Sequence, residues 1–143
     1  MKSEQEYLES LRGRRMEIYY MGERIAEPVE HPAFRPQINA AALTYARQPH
    51  SPEYDELMTA RSHLTGDTIN RFTHIHQSTD DLVRKVKLLR AIGQHTGSCF
   101  QRCVGLDALN ALYVFTFEMD AALCTPYHGR LVNFIKYVQA NDP

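Results

Sequence analysis

The stretch from Ser98 to Leu123 constrains this chain more than any other. Its apolar residues include Phe100, Val104, Leu106, Leu109, Leu112, Val114, Phe115 and Phe117, and they fall on nearly every side of a helix. A helix that is hydrophobic all round is buried inside something larger than itself. A chain of 143 residues makes one domain with a moderate core, so it is hard pressed to cover such a helix alone. The sequence therefore predicts a helical domain whose longest helix is shared with further domains or subunits.

The remaining segments fit that frame. Ser3-Glu4-Gln5-Glu6 has the form of a capping box and predicts a first helix to about Arg12, ended by Gly13. Ile18, Tyr19 and Tyr20, followed by Gly22, favour a short strand or hairpin within Met16 to Ile25. Pro28, Pro32 and Pro36 make the next stretch irregular, and a helix is expected over Gln37 to Arg47. Ser51-Pro52 starts a short helix ending near Met58. Thr59 to Gln77 is rich in Thr, Arg and His, with Gly66 in its middle, and is read as an extended loop. Ser78-Thr79-Asp80-Asp81 caps a helix to Leu89 or Ala91, and Gly93 and Gly97 bracket a break before the long helix. Pro126 opens the last helix, expected to run through Gln139, and Asn141-Asp142-Pro143 ends the chain without a tail. The expected fold class is mainly α with a small β element.

Composition excludes several function classes. Hydrophobic residues make up 43% and charged residues 23%, as in ordinary globular domains. Net charge is −1 and there is no long basic run, which argues against a nucleic-acid partner. Arg84-Lys85-Val86-Lys87 is a solvated helix face. No apolar run approaches the roughly 18 residues of a membrane span, and Met1 to Glu9 is unlike a signal sequence. Three cysteines, an odd number, do not suit a secreted disulfide framework. A cytoplasmic chain with reduced thiols is expected.

Those thiols carry the clearest chemical signal. Cys99 and Cys103 lie at i and i+4, so on one continuous helix their side chains share a face. Cys99 would sit in the first turn, where helix amides and Arg102 favour a thiolate. Two sulfurs one turn apart reach one metal ion or one iron–sulfur cluster, yet such sites need four ligands. On spacing alone, two small buried core residues remain the competing reading. Cys124 is about six helical turns further on, too far to join them, and is expected to be a buried or half-exposed thiol. His74 and His76 would point to one side of an extended segment, but no third metal ligand accompanies them, and surface or hydrogen-bonded histidines are expected. Asp80-Asp81 are caps, while Glu118 and Asp120 lie in the apolar helix without a visible partner. No phosphate loop, dinucleotide fingerprint or nucleophile elbow occurs.

Three stretches together resemble a known family: "HPAFRPQINAAALTY" (31–45), "GDTINRFTHIHQSTDDLVRKVKLLR" (66–90) and "TGSCFQRCVGLDALNALY" (96–113). They are similar to the N-terminal domain of the 4-hydroxybutyryl-CoA dehydratase branch of the flavin-dependent 4-hydroxyphenylacetate 3-monooxygenase family. The resemblance covers nearly the whole chain, and the cysteine segment is its specific part. It implies the N-terminal helical domain of an acyl-CoA-dehydrogenase-like fold, over residues 1–143, as a fragment of a longer enzyme. It also implies FAD, a [4Fe–4S] cluster held by three cysteines and one histidine, an acyl-CoA substrate and a homotetramer. The implied reaction is a radical dehydration of 4-hydroxybutyryl-CoA to crotonyl-CoA, with vinylacetyl-CoA isomerisation as a companion activity. By motif match Cys99 and Cys103 are cluster ligands, and Gln101 between them is a candidate for the flavin or substrate neighbourhood, with a surface or ligand-supporting amide as the equal alternative. The other two ligands are expected in a later segment, so no catalytic residue is assigned to this chain, and the fragment alone is expected to be inactive. The aromatic-hydroxylase branch, in which the cysteines would be core residues, and a stand-alone helical interaction module are the alternatives.

Overall fold

Ser3 accepts a hydrogen bond from the Glu6 amide while the Glu6 carboxylate accepts from the Ser3 amide, and this closed capping box starts α1, Glu4–Arg12. The structure, a computed structural model, describes residues 1–46 and 52–143. β1 (Ile18–Tyr20) and β2 (Glu23–Ile25) form an antiparallel hairpin in which Ile18 faces Ile25. Met21 and Gly22 at its tip both have positive φ, the backbone that a two-residue hairpin turn requires. α2 covers Arg35–Ala42 and tightens into a 3-10 turn over Leu43–Tyr45. It starts before the expected Gln37 because Pro36 suits a first helical turn. α3 covers Pro52–Met58, while the expected cap Ser51 lies outside the described residues.

The expected loop over Thr59 to Gln77 is instead ordered structure. β3 (Thr59–Arg61) pairs antiparallel with β4 (Thr68–Asn70), and a 3-10 turn over Arg71–Thr73 follows directly. Ile69, Phe72 and Ile75 are buried there, so this segment contributes to the core.

α4 spans Thr79–Thr96, again behind a closed capping box, here between Ser78 and Asp81. Gly93 does not break it. Helix continues through that glycine, and Gly97, left-handed at φ 58°, is the stop. α5 spans Arg102–Leu123 and α6 spans Tyr127–Asn141. α6 lacks a side-chain cap at Pro126, and Asp120 of α5 does that work. Its carboxylate accepts from the amides of Tyr127 (2.9 Å) and His128 (2.8 Å) and from the Thr125 hydroxyl (2.7 Å).

The core gathers Ala40, Met58, Phe72, Leu88, Ile92, Phe100 and Leu106, drawn from α2 through α5. α5 buries only Leu106 and Thr116 within the described residues. Val114, Phe115, Phe117 and Leu123 on α5 are exposed, as are Phe134 and Tyr137 on α6, with Phe117 63% accessible. So many exposed large apolar side chains on two packed helices suit contact with further protein better than solvent. No helix is long and apolar enough to cross a membrane among the described residues.

Candidate functional site

The cysteine segment sits where α4 hands over to α5. Thr96 ends α4 with its hydroxyl bonded to the Ile92 carbonyl at 3.0 Å, and the same oxygen accepts the Ser98 amide at 3.2 Å. Phe100 is pulled inward to 7% exposure, edge-on to Phe72 at 5.7 Å between ring centroids. The chain then turns back through Gln101, a non-glycine residue in the left-handed region with φ 65°. The Arg102 amide closes the turn on the Phe100 carbonyl at 2.8 Å.

This geometry corrects the expected helix start. Burial of Phe100 and the left-handed Gln101 delay α5 until Arg102. Cys99 therefore precedes the helix, and only Cys103 occupies its first turn. The two thiols flank a turn instead of sharing a helix face. Cys99 is exposed and Cys103 is half-buried against the core cluster, unlike a pair of core residues. Gln101 is exposed between them and lines a cavity of about 350 Å³ with Tyr7, Tyr45, Phe72, Phe100 and Arg102. Cys124 is exposed, not buried, in a left-handed cap at the end of α5.

Arg102 is also corrected, since its charge turns into the protein and not toward the sulfurs. Its guanidinium meets Asp142 Oδ1 at 2.5 Å, Thr44 carbonyl and hydroxyl oxygens at 3.3 Å each, and the Tyr45 ring at 4.1 Å. Burial pushes the Tyr45 hydroxyl pKa upward. Asp142, expected in a bare end, is buried and also accepts from Asn70 Nδ2 at 3.2 Å and the Lys2 amide at 3.3 Å.

The donor set here suits half of a metal centre. Two soft sulfur donors, one exposed and one half-buried, fit a thiophilic iron or cluster edge. Among the described residues no group of three or more His, Cys, Asp or Glu side chains is gathered to hold a metal ion.

The histidine pair lies elsewhere. The His74 and His76 rings lie 6.1 Å apart, but His74 is buried, not on the surface. Its Nε2 is 3.2 Å from Asp81 Oδ1, off the line of a good hydrogen bond, and neither ring nitrogen is otherwise partnered among the described residues. Burial lowers the His74 pKa, against the opposing pull of Asp81. Burial also lowers that of His76, helped by Lys85. Burial would raise the Asp81 pKa, but the hydrogen bond from the Gln77 amide, the charge of His74 and the Ser78 hydroxyl outweigh it and lower it. Arg71, which no sequence pattern singled out, completes this cluster. Its side chain is 4% exposed, 3.7 Å from Asp81, and bonded to the carbonyls of Leu57 (2.6 Å) and Thr59 (2.5 Å).

Comparison with known proteins adds family context. The family described as 4-hydroxyphenylacetate 3-hydroxylase N terminal matches residues 3–143. The chain is 50% identical over 138 residues to the 4-hydroxybutyryl-CoA dehydratase/vinylacetyl-CoA-Delta-isomerase of Clostridium aminobutyricum, covering 96% of this chain and 28% of that protein. It is 38% identical over 135 residues to the oxygenase component of a 4-nitrophenol 2-monooxygenase from Rhodococcus sp, covering 94% of this chain and 25% of that one. An oxygen-tolerant archaeal 4-hydroxybutyryl-CoA dehydratase structure from N. maritimus superposes with TM-score 0.89 at 48% identity, over 99% of this chain and 28% of the other. The oxygenase component of a 4-hydroxyphenylacetate 3-monooxygenase shares the fold, with TM-score 0.73 at 23% identity, over 99% of this chain and 29% of that one. The chain thus spans less than a third of the length of these relatives. Mainly helical, with two small hairpins and a match along nearly its whole length, this chain belongs to the family of 4-hydroxyphenylacetate 3-hydroxylase N-terminal domains.

Proposed function

We propose that residues 1–143 form the N-terminal domain of a flavin- and iron–sulfur-dependent dehydratase that converts 4-hydroxybutyryl-CoA to crotonyl-CoA and also isomerises vinylacetyl-CoA. The observation that carries this reading is the thiol pair. Cys99 and Cys103 flank a left-handed turn and are exposed and half-buried respectively, in a chain 50% identical to a 4-hydroxybutyryl-CoA dehydratase/vinylacetyl-CoA-Delta-isomerase. The two sulfurs would hold one side of a [4Fe–4S] cluster, with the other two ligands supplied from outside these 143 residues. When bound, the cluster and FAD supply Lewis-acid and one-electron chemistry. The chain's own part is to orient two sulfurs, while Phe100 shields the core behind them. The Gln101 amide, exposed between the thiols, is free to bond flavin or substrate. No catalytic residue is assigned within this domain, and alone it is inactive. The exposed apolar face of α5 and α6 supports burial against the rest of a cytoplasmic homotetramer.

Anaerobically purified full-length protein should contain iron and acid-labile sulfide, and should form crotonyl-CoA from 4-hydroxybutyryl-CoA. Cys99→Ser and Cys103→Ser should each lose cluster and activity together. The 38% identity to an oxygenase component favours a second reading, a flavin-dependent aromatic hydroxylase. Full-length protein without iron or sulfide that hydroxylates phenols would establish that reading instead.

A further inference from the structure

We infer that Arg102 is the positioning residue for the Cys99–Cys103 pair, an inference that rests on reading the two thiols as paired ligands. The turn that separates them is intrinsically unfavourable. Gln101 holds φ 65° without being glycine, which costs on the order of 1 kcal/mol or more and persists only where surrounding structure imposes it. The residue immediately after the strain supplies that structure. Arg102 closes the turn with its own amide on the Phe100 carbonyl at 2.8 Å. Its side chain, 16% exposed, is then fixed by Asp142 at 2.5 Å, by both oxygens of Thr44 at 3.3 Å, and by the Tyr45 ring 4.1 Å beneath the guanidinium.

The anchor points are themselves held. Asn70 Nδ2 donates to the Thr44 carbonyl at 2.9 Å and to Asp142 at 3.2 Å, and the Tyr45 hydroxyl donates to the Pro143 carbonyl at 2.7 Å. One planar fork therefore ties the start of α5 to the 3-10 turn after α2, to the end of β4 and to the end of α6. Cys103 is the next residue and Cys99 lies three residues before, so both sulfurs leave the backbone from a frame that Arg102 fixes. Its role is placement, since the guanidinium is committed to Asp142 and Thr44. Lysine cannot substitute: a single ammonium has no planar fork to span both partners and stack on the ring.

The test uses Cd²⁺ alone as the probe, titrated into the reduced, cluster-free full-length protein and followed by the cadmium–thiolate charge-transfer band. Wild type should bind Cd²⁺ with a band that falls in Cys99→Ser and in Cys103→Ser. Arg102→Lys, which keeps a positive charge opposite Asp142, should bind Cd²⁺ about tenfold more weakly, the scale on which outer supports tune metal sites. The charge-neutral pair Arg102→Gln with Asp142→Asn should show the same loss, and it serves as the test if the lysine variant does not fold. Ile135→Ala, which opens a buried site on α6 outside the cluster that holds Phe100 and Cys103, should leave the Cd²⁺ affinity within about twofold of wild type. Wild-type affinity in the folded Arg102 variant, or an equal loss in Ile135→Ala, overturns the positioning role while leaving the paired-ligand reading standing. A wild-type band indifferent to Cys99→Ser and Cys103→Ser removes the paired-ligand reading, and this inference with it.

Discussion

Arg71 and Arg102 both carry positive charge into the protein, on opposite terms. Arg71 is the more deeply buried, yet its firm bonds go to backbone carbonyls of Leu57 and Thr59, only 14 and 12 residues away, with Asp81 at a looser 3.7 Å. Arg102 spends its charge on a buried carboxylate 40 residues away and on Thr44, 58 residues away. The first arginine closes a local hairpin, and the second joins distant parts of the chain. Burial lowers the pKa of Arg71, with the nearby charge of Asp81 opposing it. Buried charge is thus structural in one region and organises the candidate ligand turn in the other.

The contrast can be broken or sharpened by experiment. Arg71→Met should be the most damaging, leaving buried carbonyl oxygens without their donor and Asp81 without a nearby positive charge, at a cost of about 3–5 kcal/mol by urea denaturation. A cost below about 1 kcal/mol would remove the structural role assigned to Arg71. Asp142→Asn should destabilise by about 2 kcal/mol, because Arg102 loses its charge partner and one of two accepting oxygens becomes an amide donor that faces other donors. It should also leave the β3–β4 hairpin protected against amide exchange, whereas Arg71→Met should expose it.

The next effect is in pH. His74 and His76 have folded-state pKa values below the ordinary 6.5, burial being the main cause. The unfolded chain then binds more protons, so stability is fully present above about pH 6.5 and falls as pH drops through that value toward the folded-state pKa values. The loss should be smaller in His74→Gln, measured by thermal melting at pH 7 and pH 5. Asp81, whose pKa is lowered below 3.8, loses its contribution only at more acidic pH, which separates the two windows. Smallest should be Ser78→Ala, about 1 kcal/mol for one lost cap, confined to the start of α4.

Legibility in the sequence followed the range of the interactions. The capping box at Ser3 and the cap at Ser78 were readable because donor and acceptor sit three residues apart, though the reciprocal bond to Asp81 emerged only in the structure. The β3–β4 hairpin was not, because strands of three residues carry no period. What holds the hairpin is Arg71 reaching carbonyls of α3 and β3. The cysteine spacing was visible, but its geometry was not. The helix start moved from Ser98 to Arg102 because Phe100 is claimed by Phe72, a tertiary contact that no local pattern encodes. The all-round apolarity of the long helix was correctly seen as excess over what this domain can bury, and Phe115 and Phe117 stand exposed.

The Asp142 network has a kinetic side as well. Its carboxylate receives the Lys2 amide across 140 positions of sequence, nearly the full chain. Contacts of such separation need the largest loop to close, so they are added after the helices and hairpins have formed. An interaction absent from the folding transition state leaves the refolding rate alone and slows escape from the native state. Removing the clasp at Asp142 should therefore speed unfolding and leave the refolding rate unchanged in a denaturant-jump experiment, shortening the time for which the turn carrying Cys99 and Cys103 stays intact.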